Sequence, residues 1–128
     1  MVSRVPSIVP HELLLQACTD PSGHVAWRYP AILVLVMALA TGQYAILGGD
    51  VLYEAEDGTL AHWHEAMYGG NWYLNRTSDQ SWADYVARSH LTTQDYIKAY
   101  VRRNGDASWF APSFIDEQGF ALLPRRET

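Results

Sequence analysis

The run Ala31-Ile32-Leu33-Val34-Leu35-Val36-Met37-Ala38-Leu39-Ala40 has no charged or hydrogen-bonding side chain and follows Pro30. It is about half the ~20 apolar residues that a helix needs to cross a bilayer. It has the length of a signal-peptide hydrophobic region and ends in an Ala-x-Ala pattern. However, it begins thirty residues into the chain behind Glu12 and Asp20, where a secretory signal would carry a short basic region. Residues 30–40 are therefore read as a core segment, with no membrane partner. Pro30 suits a first helical turn, Gly42 suits a left-handed C-terminal cap, and the Ala, Leu and Met content favours a helix. Ile32, Val34 and Val36 would also suit a central strand, and periodicity cannot separate the two in so short a run. Helix is the reading adopted, apolar all round and so buried on most sides.

A chain of 128 residues buries roughly 68% of its unfolded surface, enough for a core without disulfide or metal. Hydrophobic residues at 48%, five Trp and eight Tyr describe a packed globule rather than a disordered chain. One domain over residues 1–128 is expected, with about 1–7 and 124–128 mobile. A net charge of -5 argues against nucleic acid as a partner, because phosphate binding is driven by Lys and Arg. A basic partner fits better. The single cysteine, Cys18, cannot form an internal disulfide, and a reduced, cytoplasmic setting is the simpler expectation.

The remaining chain reads as short strands followed by helices. Residues 8–18 predict a short helix with Leu14, Ala17 and Cys18 at helical spacing, closed by a turn at Asp20-Pro21-Ser22-Gly23. A strand at 44–47 is broken by Gly48-Gly49 and resumes through 51–54, and paired glycines there predict a bulge or a close backbone approach. Asp57-Gly58 predicts a hairpin between 52–56 and 59–65. A turn at 68–71 then leads into 72–75, which makes a meander. Trp82, Tyr85, Val86 and Ser89 share one helical face. Thr92-Thr93-Gln94-Asp95 has the chemistry to cap a second helix, with Tyr96, Ile97, Tyr100 and Val101 as its apolar face and Asn104-Gly105 as its end. Residues 109–115 read as a final edge strand that tolerates Pro112. The fold class is α+β: a small antiparallel sheet, a meander, packed against a buried helix and a C-terminal helix pair.

Three constellations could carry chemistry. His62 and His64 lie on one face of a strand and could chelate a metal with Cys18, His24 or Glu65 completing the set, but no second ligand pair at a suitable spacing exists. Cys18, His24 and Asp20 can be assembled as nucleophile, base and orienting group, yet a lone Cys among Leu14, Leu15 and Ala17 is ordinarily a small buried hydrophobe. The third set is acidic and aromatic: Asp50, Tyr53, Glu54, Glu56 and Asp57 on one hairpin, with Tyr68, Trp72 and Tyr73 near in sequence. Aromatic rings beside carboxylates suit a protein interface, and a solvated hairpin over an aromatic core explains them equally well. Gly48 and Gly49 are turn residues, and no helix follows them to cradle a phosphate.

The segments Ile46-Leu47-Gly48-Gly49-Asp50-Val51, Asn71-Trp72-Tyr73, Ser89 and Tyr96-Ile97-x-x-Tyr100 together resemble the immunity proteins of bacterial polymorphic toxin systems, specifically the family numbered forty, over roughly residues 30–101. That family's hallmark is a Gly-Gly-Asp-Val-Tyr stretch; Leu52 stands here where Tyr would follow Val, and Tyr53 comes next. The resemblance implies a cytoplasmic antidote that binds the C-terminal domain of a cognate toxin stoichiometrically, catalyses nothing and uses no cofactor. On it, Asp50, Tyr53, Glu54, Glu56, Asp57, Tyr68 and Trp72 would meet a basic toxin. The alternative from residue chemistry is a small-ligand or metal-binding domain, or an enzyme, built on the His62/His64 face.

Overall fold

The computed structural model describes residues 5–62 and 71–123. The chain runs α1 (His11–Leu15), β1 (Cys18–Thr19), β2 (Val25–Arg28), α2 (Ala31–Thr41), β3 (Ala45–Glu54), β4 (Leu60–His62), β5 (Asn71–Tyr73), α3 (Trp82–Asn104), β6 (Trp109–Ile115) and α4 (Glu117–Ala121). The class is α+β, as expected. The strands form one antiparallel sheet in the order β1-β2-β6-β3-β4, with β5 also paired to β3. The expected segments at 63–70 and 124–128, Tyr68 and His64 among them, lie outside the described residues.

The apolar run is a helix, and its inner face is the centre of the core: Ile32, Leu35, Val36 and Leu39 are fully buried. Burial on most sides is not realised, since Val34 is 50% and Met37 58% exposed. Helix periodicity turns these two positions away from the sheet even though their side chains are apolar. Nor does Gly42 provide the left-handed cap. Its φ is -85°, and Gln43 takes the positive φ of 63°. Among the described residues no helix is long and apolar enough to cross a membrane.

β3 is the spine of the sheet. One edge pairs with β6 from Ala45 to Leu52, and the other is shared between β5, opposite 48–50, and β4, opposite 52–54. The Asp57-Gly58 hairpin forms as expected between β3 and β4. β5, however, does not extend a meander outward from β4. It returns to β3, because Trp72 is buried against Gly49 and α3. The expected segments 44–47 and 51–54 fall in one strand, Ala45–Glu54, whose register irregularity between Ile46 and Gly48 leaves out Leu47 just before the glycines, and the paired glycines themselves give the close approach. β6 lies between β2 and β3 instead of at an edge; its paired register with β2 covers Trp27↔Phe110 and Arg28↔Trp109. Pro112 falls beyond those pairs, where its missing N–H costs no bond to β2.

The expected helix pair is a single helix of 23 residues. Ser81 caps it, its Oγ accepting from Asp84 N–H at 3.1 Å, and Gly105 ends it with φ 84°. Thr92 and Thr93 do not start a second helix. Thr93 is buried, and its hydroxyl accepts from Trp72 Nε1–H at 2.9 Å, so the side chain is satisfied from outside and does not compete for the helix backbone. The helix spans two clusters. Trp82, Tyr85 and Val86 pack with Ala45, and Ile97 and Tyr100 pack with α2, Val51 and Phe110. Ser89 joins them, accepting from Ile46 N–H at 3.0 Å and donating to Val86 O at 2.9 Å.

Near the N-terminus the predicted helix is shorter than expected. α1 buries Leu13, while Leu14 and Leu15 are exposed and Cys18 has passed into β1. Trp27 Nε1–H donates to Leu13 O at 2.7 Å, fastening α1 to the sheet. The turn at residues 20–23 is held by Asp20, which is 5% exposed and accepts from the N–H groups of Ser22 (3.0 Å) and His24 (2.8 Å). Burial works to raise its carboxyl pKa, but bonds from the backbone and ring of His24 together with Ser22 N–H outweigh it, and the net shift is downward from 3.8. A carboxylate with a depressed folded pKa contributes stability that is present above the unfolded value and lost as pH falls through the folded one. We therefore expect the acid-side loss of stability between about pH 4 and the lowered pKa to shrink in Asp20→Ala. That variant should also be less stable at neutral pH by about 1–3 kcal/mol, because two N–H groups lose their acceptor. Urea denaturation at pH 7, 4 and 3 checks both.

Candidate functional site

Strand alternation divides the acidic-aromatic set between two faces. Val51 belongs to the main core against α2 and α3, while Leu52 belongs to a second cluster with Ala26, Leu60 and Ala111. Asp50, Leu52 and Glu54 therefore share the face away from the main core, and Gly49, Val51 and Tyr53 face the other way. The register carries the first face across the strands: Asp50 lies opposite Asn71 and Ala111, Gly48 opposite Tyr73 and Ser113, and Glu54 opposite Leu60. Asn71, Glu54 and Ser113 are exposed, and Tyr73 is exposed by 76%.

Trp72 anchors this arrangement. It is 7% exposed, bonded through Nε1–H to Thr93, and stacked on Tyr96 with ring centroids 4.9 Å apart. A Cβ on Gly49 would lie 2.4 Å from Cη2 of that indole and 2.7 Å from Ala111 O. One on Gly48, where φ is 155°, would lie 2.1 Å from Trp72 O. Gly48-Gly49 is thus the place where β5 and its indole lie directly on the β3 backbone. Burial raises the Tyr96 phenol above its ordinary pKa. Tyr100 adds to this, Arg103 opposes it, and the Asp50 charge adds a smaller push.

The sequence-predicted residues fall as follows. Glu54 and Glu56 are exposed, Asp50 and Tyr53 are half-buried, and Tyr53 faces away from Asp50 and Glu54. Asp57 is exposed, but its Oδ1 accepts from Thr59 N–H (3.1 Å) and Thr59 Oγ1–H (2.7 Å), and these bonds lower its pKa. Its first role is to hold the hairpin turn. Trp72 is a core residue whose indole stacks on Tyr96, whereas Tyr73, one residue on, is exposed. The alternation Asn71-Trp72-Tyr73 carried that signal, but only the pairing with β3 decides which member points inward.

Of the other constellations, only the Cys18, His24 and Asp20 set lies wholly within the described residues, and it is not assembled. His62 lies opposite Leu52 in β4, and its side chain and His64 lie outside the described residues. Among the described residues no group of three or more His, Cys, Asp or Glu could hold a metal ion. Asp20 and His24 do meet, Nδ1 to Oδ2 at 3.2 Å, but Cys18 packs beside Ala26 and Leu52 in the second cluster, and the Asp20–His24 contact belongs to the turn.

Comparison with protein families decides the affiliation. Residues 18–114 match the family model described as Immunity protein 40. The chain belongs to the immunity protein 40 family. No curated protein and no solved structure matches it. The match reaches beyond residues 30–101 to take in β1, β2 and nearly all of β6, the strands that complete the sheet on one side of β3. In this immunity protein 40 chain the Gly-Gly-Asp-Val stretch and Asn71-Trp72-Tyr73 are two sides of one contact, since Gly48, Gly49 and Asp50 pair with Tyr73, Trp72 and Asn71 in that order.

Proposed function

We propose that this protein is an antidote that binds the C-terminal domain of a cognate bacterial toxin stoichiometrically in the cytoplasm, through the outer face of β3–β5 and the β3–β4 hairpin. The observation that carries this reading is one register. It sets Asp50, Asn71, Tyr73 and Glu54 on a single face, with the exposed Glu56 and Asp57 at its tip. Among the described residues no Lys or Arg lies in ion-pair contact with these carboxylates. Unpaired carboxylates steer a basic partner and fix its register, and a rigid exposed tyrosine supplies contact area at low entropic cost. Nothing in this mode of action calls for catalysis or a cofactor. Inhibition follows from occupying the toxin's surface.

The binding experiment uses the cognate toxin domain, inactivated in its active site. Glu54→Lys combined with Glu56→Lys should slow association and weaken affinity by about tenfold or more at low salt, with the difference narrowing as salt screens it. Tyr73→Ala should act mainly on dissociation. Unchanged affinity and on-rate in the charge-reversed protein would overturn this surface.

A further inference from the structure

We infer that the groove between α1 and the start of α2 is a second contact for the same partner, taking an extended toxin segment that carries an aliphatic or aromatic side chain next to a carboxylate; this rests on the antidote reading above. The groove encloses about 620 Å³. It is lined by Leu13 of α1, Ala31 and Val34 of α2 and Trp109 of β6, with Arg28 and Glu12 as its charged groups. Val34 is half exposed there, and residues 29–49, which include all of α2, carry no charge. Val34 and Ala31 therefore offer an apolar side chain a surface with no charge of its own.

Arg28 supplies the polar half of the specificity. Its guanidinium carbon lies 5.6 Å from the centre of the Trp109 ring, a stacked position that holds the fork in place. Among the described residues no carboxylate lies in ion-pair contact with it. A planar cation fixed on an aromatic ring is suited to a carboxylate. Glu12 on the α1 side gives the groove opposite charges at its two charged positions, which sets the direction in which a segment can lie.

The register joins this groove to the proposed binding face. Arg28 lies opposite Trp109, and Trp109 opposite Leu52, two residues before Glu54. β2 and β3 both run antiparallel to β6 and so share a direction, which brings Arg28 and Glu54 to the same end of the sheet. Two strand spacings, about 10 Å, separate Arg28 from Leu52, and Glu54 lies two residues or about 7 Å further along β3, so Arg28 and Glu54 are about 12 Å apart in the sheet plane. A partner seated on Glu54 and Glu56 therefore reaches the groove by crossing Trp109. A stable interface needs about 800 Å² on each partner, and the groove extends the β3–β5 face and its hairpin toward an apolar depression beside a cation that has no carboxylate in ion-pair contact among the described residues.

The test places the photo-crosslinking residue benzoylphenylalanine at Val34, at Glu56 and, as a control site outside both surfaces, at Leu122. Each variant of the full chain is bound to the inactivated toxin domain and the adducts are mapped. Crosslinks from Val34 and Glu56 but not Leu122, together with a loss of affinity of about tenfold or more in Val34→Asp and in Arg28→Glu, are the expected result. Val34 is half exposed, so Val34→Asp should keep the native circular dichroism. Crosslinking from Glu56 alone, with Val34→Asp binding like the parent protein, would overturn the groove and leave the antidote reading intact. Self-association that Val34→Asp abolishes while toxin affinity is unchanged would also overturn it, assigning the groove to a second copy. Absence of any complex with the toxin domain would overturn the antidote reading itself.

Discussion

Gly48→Ala is expected to destabilise the protein by about 3 kcal/mol or more, with an unchanged urea m-value. The new Cβ would lie 2.1 Å from Trp72 O and 2.8 Å from Tyr73 Cα. Both are backbone atoms of a strand that is itself paired to β3, so neither can rotate aside. The φ of 155° adds a backbone cost that only glycine avoids. Gly58→Ala is the contrast: Gly58 has φ 86° but open space around it, so only the left-handed conformation is penalised, at about 1–2 kcal/mol. Equal losses at the two positions would show that the close approach of β5 contributes nothing.

Trp72→Ala should cost about 3–5 kcal/mol, in the range for deleting a buried tryptophan. It removes the stack on Tyr96 and leaves the buried Thr93 hydroxyl without its donor. This variant also separates the two glycines. Of the atoms nearest a Cβ on Gly49, two belong to the Trp72 ring, at 2.4 and 2.7 Å, and the third is Ala111 O at 2.7 Å. Gly49→Ala should therefore cost less in the Trp72→Ala background, by about 1–2 kcal/mol. Gly48→Ala should be relieved less than Gly49→Ala, because alanine at position 72 keeps the carbonyl it strikes. A double-mutant cycle by urea denaturation reads both couplings, and additivity at Gly49 would refute the packing of the indole on its backbone. With β5 held less firmly, Asn71 and Tyr73 should exchange their amide hydrogens faster, and, if the proposed surface is the binding one, toxin affinity should fall without either residue being altered.

Much of the fold was legible because it is set by local chemistry. The apolar run from Ala31 called for burial of at least one face, its content favoured a helix, and Asp57-Gly58 allowed a tight reversal. Ser89 fell on the same helical face as Trp82, Tyr85 and Val86, and Asn104-Gly105 marked a helix end. The errors share a different cause. Thr92 and Thr93 read as a cap because their hydroxyls compete for nearby backbone groups, and the bond that removes this competition comes from Trp72, 21 residues away. β1 and β2, two and four residues long, are too short to show a period. α4 is five residues long, too short to show a helical period, and begins at the Asp116 cap, where Oδ1 accepts from Gly119 N–H at 2.7 Å.

The candidate site divides in the same way. Sequence alone identified the carboxylates of the β3–β4 turn, the glycine pair as a close approach, and the resemblance that residues 18–114 bear out. It could not decide which aromatic beside them was free, since Trp72 and Tyr73 are adjacent, similar in character and opposite in direction. A strand's alternation is visible in sequence, but its phase is set by the neighbour it pairs with, and β5 found that neighbour in β3 rather than in β4. The apolar run met the same limit. Its sequence determined that it would be buried in protein, whereas only the packing of α1, the sheet and α3 around it decided that Val34 and Met37 would remain at the surface, because burial is a property of the contacts an element finds and not of the residues it carries.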